Sequence, residues 1–106
     1  MSDWYVEYIS EALTDLKKLD NTQQKIVLKA IQKVSRNPLP NSEGGLGKSL
    51  GNHVTSQLAG YQKIKLKSAG LRVVYSVIRD QNKMRIVIIS IRDDERVYKM
   101  AQDRVR

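Results

Sequence analysis

The chain of 106 residues carries 19 Lys/Arg against 11 Asp/Glu, a formal net charge of +8, and contains no cysteine. This length predicts a single domain over residues 1–106, and the cysteine count excludes disulfides and cysteine-rich metal sites. No apolar run approaches the roughly 18 residues of a membrane span, and the N-terminal sequence lacks the regions of a signal peptide, so we expect a cytoplasmic protein without a membrane partner.

The positive charge is concentrated in the C-terminal part of the chain. Residues 1–62 carry seven basic against six acidic side chains, whereas residues 63–106 carry twelve against five, a net charge of +7. A concentrated positive surface attracts polyanions, of which nucleic acid is the commonest. An acidic protein partner fits the same charge, so charge alone does not choose between them.

The N-terminal segment predicts a short strand followed by a helix. Trp4, Val6 and Tyr8 alternate with more polar residues over residues 3–9, which is typical of a strand. Ser10 is a candidate N-cap for an amphipathic helix. The apolar positions of that helix recur at helical spacing at Ala12, Leu13, Leu16 and Leu19.

A second helix is predicted directly afterwards. Asn21 and Gln24, three residues apart, have the form of a capping box, and Pro38 limits how far the helix can extend. Because the connection between the two helices is short, we expect them to pack as a helical hairpin on one face of a sheet.

Residues 37–60 are predicted to form a long loop, since they contain both prolines and little apolar periodicity. Leu46 and Leu50 are expected to anchor it to the core. The run at residues 47–49 imitates the end of a P-loop, but the required first glycine, the preceding strand and the following helix are missing. His53 is the only histidine. We therefore expect no nucleotide, no metal and no small-molecule cofactor.

The stretch after this loop has the pattern of a β-hairpin strand. Lys63, Lys65 and Lys67 alternate with Ile64 and Leu66, so a strand would direct the three ammonium groups to one face and the aliphatic side chains to the core. Charged side chains on a strand commonly form a solvated face that discourages aggregation. The alternative interpretation is an anion-binding site.

The return strand would add an arginine to these lysines. Residues 68–70 predict the turn, Gly70 can adopt the positive φ that short hairpin loops require, and the next strand carries Arg72 back beside the lysines. Lys63 and Lys65 would have Cα atoms about 6.6 Å apart. Their mutual repulsion would make one of the two easier to deprotonate.

The C-terminal part predicts a buried strand and a final helix. Residues 86–89 are apolar on both faces, which indicates a central strand, and acidic residues 93–95 precede a helix that contains Tyr98. The fold class is therefore α+β. We expect an N-terminal strand and helical hairpin packed on a mostly antiparallel sheet of about four strands, with a short C-terminal helix.

The run from Lys63 to Tyr75 resembles the central hairpin of the RelE branch of the RelE/ParE superfamily, the toxins of bacterial type II toxin–antitoxin systems. The order of elements, a strand ending in Ser90-Ile91-Arg92 and the later Val97-Tyr98 extend the resemblance over nearly the whole chain. It implies a RelE-like microbial RNase fold and a metal-independent, ribosome-dependent endoribonuclease that cleaves mRNA in the ribosomal A site. The implied partners are the ribosome, mRNA and a cognate antitoxin.

The resemblance also implies roles for individual residues. Lys65 would be the general base, Arg72 would hold the phosphate, and Tyr98 would stack on a base or orient the phosphate. Arg92 would stabilise the leaving group. The implied RNA-binding residues are Lys63, Lys67 and Arg96.

Several alternatives stay open at this point. The segment between the last strand and Tyr98 is about two residues shorter than the RelE pattern, so Arg96 could replace Arg92; we prefer Arg92 because it ends a strand. Tyr98 could simply pack a helix on the sheet. For the whole chain, the alternatives are a ParE-like inhibitor of DNA gyrase and a non-catalytic protein that binds only an antitoxin.

Overall fold

The structure is a computed structural model that describes residues 4–50, 60–91 and 94–105. These residues form five strands and three helices, besides short 3-10 turns. The strands are β1 (Tyr5–Tyr8), β2 (Lys48–Ser49), β3 (Gln62–Leu66), β4 (Leu71–Ile78) and β5 (Lys83–Ser90). The helices are α1 (Ser10–Lys18), α2 (Asn21–Val34) and α3 (Asp94–Arg104).

The strands form one sheet in the order β1-β5-β4-β3-β2. Only the β1–β5 pair is parallel among the described strands, and the other three pairs are antiparallel. This confirms the predicted α+β class and the mostly antiparallel sheet. The sheet gains a fifth strand because two residues of the predicted 37–60 loop, forming β2, pair with β3.

The helices cover both faces of the sheet. On one face α1 and α2 contribute Ala12, Val27 and Ile31 to a buried cluster with residues of β3, β4 and β5. On the other face Val97 and Ala101 of α3 belong to a second cluster with residues of β4 and β5, which we call the α3-side cluster. The apolar run 86–89 contributes to both clusters, which confirms that β5 is a central strand covered on both sides.

Both predicted helix caps were wrong by one residue. The N-cap of α1 is Ile9 rather than Ser10, which is already helical and whose hydroxyl donates to Glu11 Oε1. In α2 the capping box joins Asp20 and Gln23: Gln23 N donates to Asp20 Oδ1 at 2.7 Å, and Asp20 N donates to Gln23 Oε1 at 3.3 Å. Asp20 with Gln23 and Asn21 with Gln24 both have the spacing of a capping box. The aspartate carboxylate is the stronger acceptor for an N-terminal amide, which favours the first pair.

Besides the pairing of β2 with β3, two contacts hold the loop after α2 on the sheet. Leu50 is buried in the α3-side cluster as predicted, whereas Leu46 is 45% exposed and does not anchor the loop. The buried hydroxyl of Tyr75 donates to Pro38 O at 2.7 Å. Burial raises the pKa of Tyr75 well above its usual value, so this hydroxyl stays protonated and keeps its donor.

Replacing Tyr75 by phenylalanine should lower the free energy of unfolding by about 1–3 kcal/mol, because Pro38 O would lose this buried donor. Urea denaturation of Tyr75→Phe would measure this loss. Tyr5→Phe is the matched control, since Tyr5 is 66% exposed. Equal stability of the two variants would show that the Tyr75 bond does not stabilise the loop.

No helix among the described residues is long and apolar enough to cross a membrane.

Candidate active site

The candidate site is a row of residues across the three central strands. Lys65 on β3 lies directly opposite Arg72 on β4, and Arg72 lies directly opposite Ser90 on β5. Residues opposite each other in adjacent strands share a face, with Cβ atoms roughly 4.5–5.5 Å apart. All three residues are partly buried. The hairpin therefore places Lys65 beside Arg72, as predicted.

A second row begins two residues away on the same face. Lys63 on β3 lies opposite Lys48 on β2 and Val74 on β4. Lys63 Nζ is 6.0 Å from the centroid of the Tyr98 ring, a distance at which the ring attracts a cation. Four cations thus occupy adjoining positions of the sheet. We call them the cation cluster; they are Lys48, Lys63, Lys65 and Arg72.

Sequence reasoning missed Lys48. Its local sequence resembles only the end of a P-loop, and its approach to Lys63 depends on the pairing of β2 with β3. The two residues are 15 positions apart, so no local pattern of alternation connects them. A two-residue strand inside a glycine-rich loop gives no signal of its own.

Lys67 does not lie on the predicted strand face. β3 ends at Leu66, and Lys67 begins a 3-10 turn whose C-cap, Gly70, has a φ of 66°. The positive φ confirms the predicted role of Gly70 in the turn. The alternation of lysines stops where the chain leaves the strand, so Lys67 is exposed at the end of the hairpin and beside the cluster rather than in it.

Tyr98 lies under α3, against the sheet. Its side chain is only 3% exposed and packs with Val74 and Ile88 in the α3-side cluster. The ring therefore presents no open face on which a nucleobase could stack in this conformation. The packing interpretation of Tyr98 is supported, together with its contact with Lys63.

The structure describes only one of the two candidate arginines, Arg96. Arg92 lies outside the described residues, so its place at the site stays a prediction. Arg96 is exposed in α3, two positions before Tyr98. His53 also lies outside the described residues.

Several cations of the C-terminal half form ion pairs away from the cluster. Glu43 forms two hydrogen bonds with Arg79, and hydrogen bonding from this guanidinium lowers the pKa of Glu43. Glu7 binds Arg85 and Lys83, whose hydrogen bonds lower its pKa in the same way. Arg104 pairs with Asp15. None of these ion pairs involves a residue of the cation cluster.

Similarity to known proteins defines the class of this protein. The chain matches the family of the ParE toxin of type II toxin–antitoxin systems over residues 6–98. A protein of Escherichia coli described as RelE-like toxin is 31% identical over 107 residues, which cover 97% of this chain and 98% of that protein. The chain therefore belongs to the RelE/ParE family of type II toxins.

Solved structures share the fold. A mutant of the E. coli toxin RelE in the free state has a TM-score of 0.75 at 22% identity and covers 99% of this chain and 100% of its own. A RelE mutant in complex with a peptide of the antitoxin RelB has a TM-score of 0.69 at 23% identity, covering 94% of this chain and 95% of that one. A RelBE toxin–antitoxin complex from Mycobacterium tuberculosis has a TM-score of 0.67 at 23% identity, covering 87% and 94%. At this identity the structures establish the fold.

Proposed function

We propose that this toxin is a ribosome-dependent endoribonuclease that cleaves mRNA in the ribosomal A site and thereby inhibits translation. The observation that carries the proposal is the direct cross-strand pairing of Lys65 with Arg72, with Lys63 in the adjoining position. This pairing gives a sheet face on which a phosphate can meet two or three fixed cations. A cognate antitoxin neutralises the toxin, as the complexes of similar toxins suggest.

The cation cluster suits metal-independent RNA cleavage. In this reaction the 2′-oxygen loses its proton and attacks phosphorus, negative charge grows on the phosphate oxygens, and the 5′-oxygen leaves and gains a proton. Positioning and electrostatic stabilisation supply most of the catalysis in phosphoryl transfer. Lys65 takes the 2′-hydroxyl proton, and the planar fork of Arg72 binds the phosphate oxygens in two places. Lys63 and Lys48 neutralise the adjoining RNA backbone.

The proposed catalytic set also gives a reason for the dependence on the ribosome. It contains neither histidine nor carboxylate, the groups that commonly serve as general bases. A lysine must lose its proton before it can act as a base, so this set is a weak catalyst unless the reacting groups are held in productive geometry. The ribosome would hold the messenger in line for attack, which lowers the entropic part of the activation barrier.

The leaving-group role is assigned to Arg92, with Arg96 as the alternative. If Arg92 stabilises the 5′-oxygen, Arg92→Ala should lower the single-turnover rate by about 100-fold while ribosome affinity stays nearly constant, because the charge acts as negative charge develops. Arg96→Ala, at an exposed helical position, should change the rate little. Single-turnover cleavage on programmed ribosomes would measure both variants. A large loss for Arg96→Ala with almost none for Arg92→Ala would reverse the assignment.

Inhibition of DNA gyrase is the second candidate function, because the matching family is that of the ParE toxin. Two assays on the same purified protein separate the candidates: protein synthesis in a cell extract and DNA supercoiling by purified gyrase. Our proposal predicts that protein synthesis stops and supercoiling continues unchanged. Blocked supercoiling with normal protein synthesis would establish the gyrase function instead. Absence of both effects would indicate a protein that only binds its antitoxin.

A further inference from the structure

The end of β5 lacks a strand partner on one side. β1 pairs with residues 83–86 of β5, and Ile9 N makes a last hydrogen bond to Ile86 O at 3.2 Å. Beyond that point, residues 87–90 have β4 on one side and no strand on the other within the described ranges 4–50, 60–91 and 94–105. The edge of a strand exposes N–H and C=O groups that need partners when they are removed from water.

Two side chains supply those partners. Ile89 N donates to Asp15 Oδ2 at 3.0 Å, and Arg104 Nη1 donates to Val87 O at 2.9 Å. Arg104 also binds Asp15 at two points, Nη1 to Oδ2 at 2.6 Å and Nη2 to Oδ1 at 3.1 Å. The side chains of Asp15 and Arg104 are 12% and 16% exposed. We call this arrangement the edge clamp, because a carboxylate and a guanidinium occupy the open edge where an adjacent strand would lie.

The clamp attaches to β5 at an irregularity of the sheet. Val74 pairs with Ile88 and Tyr75 pairs with Ile86, so Val87 is an extra residue in β5 and forms a β-bulge. A bulge disrupts the ladder locally and increases the twist of the strand. Val87 is the residue at which β5 changes register, and it belongs to the cluster under α3. Arg104 binds the carbonyl of this residue.

The clamp also connects the two helical layers. Asp15 belongs to α1 on one face of the sheet, and Arg104 belongs to α3 on the other. Arg104 follows Tyr98 by six residues, which is about 9 Å along a helix axis. Apolar packing of Val97 and Ala101 is not directional, whereas a two-point guanidinium–carboxylate pair requires a defined distance and orientation. The clamp thus defines the position of α3 along its axis and its rotation about that axis, relative to the sheet.

We propose that Asp15 and Arg104 are positioning residues for the cation cluster, because they hold α3 in the place that keeps Tyr98 beside Lys63. In the part of the chain that the structure describes, Asp15 and Arg104 form hydrogen bonds to each other and to β5, so they act on the cluster through α3. The effect on catalysis rests on the proposed RNase function, whereas the effect on the position of Tyr98 does not.

The first test is kinetic. Asp15→Asn removes the charge but keeps an oxygen that can accept from Ile89 N, and Arg104→Lys keeps the charge but removes the two-point geometry. On programmed ribosomes at saturating concentration, each should lower the single-turnover cleavage rate by about tenfold with unchanged ribosome affinity. Arg79→Lys, which weakens the exposed pair with Glu43, is the matched control and should cleave at the wild-type rate.

A double-variant comparison separates positioning from general destabilisation. Displacement of Tyr98 would lower the rate by releasing Lys63, which contacts its ring. In a protein that already carries Tyr98→Leu, Asp15→Asn should therefore cause little further loss of rate, because the ring that holds Lys63 is already absent. An equal factor of loss with and without Tyr98 would overturn the proposal. Rates would be compared well below the melting temperature of each variant.

The second test does not use activity. The ε-methylene of Lys63 should have an NMR shift that depends on the Tyr98 ring, with Tyr98→Leu as the reference. Asp15→Asn and Arg104→Lys should move this resonance toward the reference and increase amide exchange in α3, while Arg79→Lys leaves both unchanged. An unmoved Lys63 resonance overturns the positioning role whatever the activity. A moved resonance in a protein that does not cleave supports positioning and refutes the RNase function.

Discussion

Lys65→Ala and Arg72→Ala should each reduce ribosome-dependent cleavage by roughly 100-fold or more, with little loss of stability. A general base and a preorganised phosphate ligand each contribute on this scale. Both side chains lie on the sheet face opposite to Ile64, which is buried beneath α2, so their truncation opens no cavity in that core. Transcript mapping would measure cleavage, and thermal melts of the same samples would measure stability.

Conservative variants distinguish the two roles. Lys65→Arg keeps a positive charge but cannot act as a base near neutral pH, so it should stay inactive if Lys65 takes the proton. Arg72→Lys keeps the charge and loses the fork, so it should recover only part of the rate. Lys25→Ala, at an exposed position of α2, is the control for loss of one positive charge. Full activity of Lys65→Arg would show that Lys65 supplies only charge.

The second large effect that we expect is neutralisation of the toxin by its cognate antitoxin. Expression of the toxin alone should arrest growth, and co-expression of the neighbouring open reading frame should restore it, because the proposed activity would stop translation in the host. The net charge of +7 over residues 63–106 favours a partner with an acidic segment. An antitoxin that folds on contact could cover a large surface with a short chain.

Growth curves and co-purification would measure this effect. A variant lacking both Lys65 and Arg72 is the control, since it should permit growth without the antitoxin. Increasing salt should weaken the complex if charge contributes to it, because salt screens exposed charges. A neighbouring gene product that neither restores growth nor co-purifies would contradict this prediction.

The parts of the fold that were predicted correctly depend on local patterns. The alternation of lysines and aliphatic residues, with a glycine able to adopt positive φ, was enough to place Lys65 opposite Arg72. The apolar run of β5 was enough to identify a strand covered on both faces. In each case the information lies within a few consecutive residues, where the periodicity of a strand applies.

Features that were missed depend on long-range contacts or on a choice between adjacent frames. Lys48 reaches the cluster only because β2 pairs with β3. Asp15 and Arg104 are 89 positions apart, and nothing in either neighbourhood indicates that they meet. The burial of Tyr98 depends on where α3 lies on the sheet. The capping box begins at Asp20 rather than at the predicted Asn21, because both residues have a glutamine three positions later.

The central claim is cleavage of messenger RNA on the ribosome, and mapping of transcript ends tests it most directly. A defined messenger would be incubated with the purified toxin, once on ribosomes with the A site open and once free in solution. We predict new 5′ ends within the A-site codon on ribosomes and almost no cleavage of the free RNA. Equal cleavage of the free RNA, or intact messenger on the ribosome, would contradict the account.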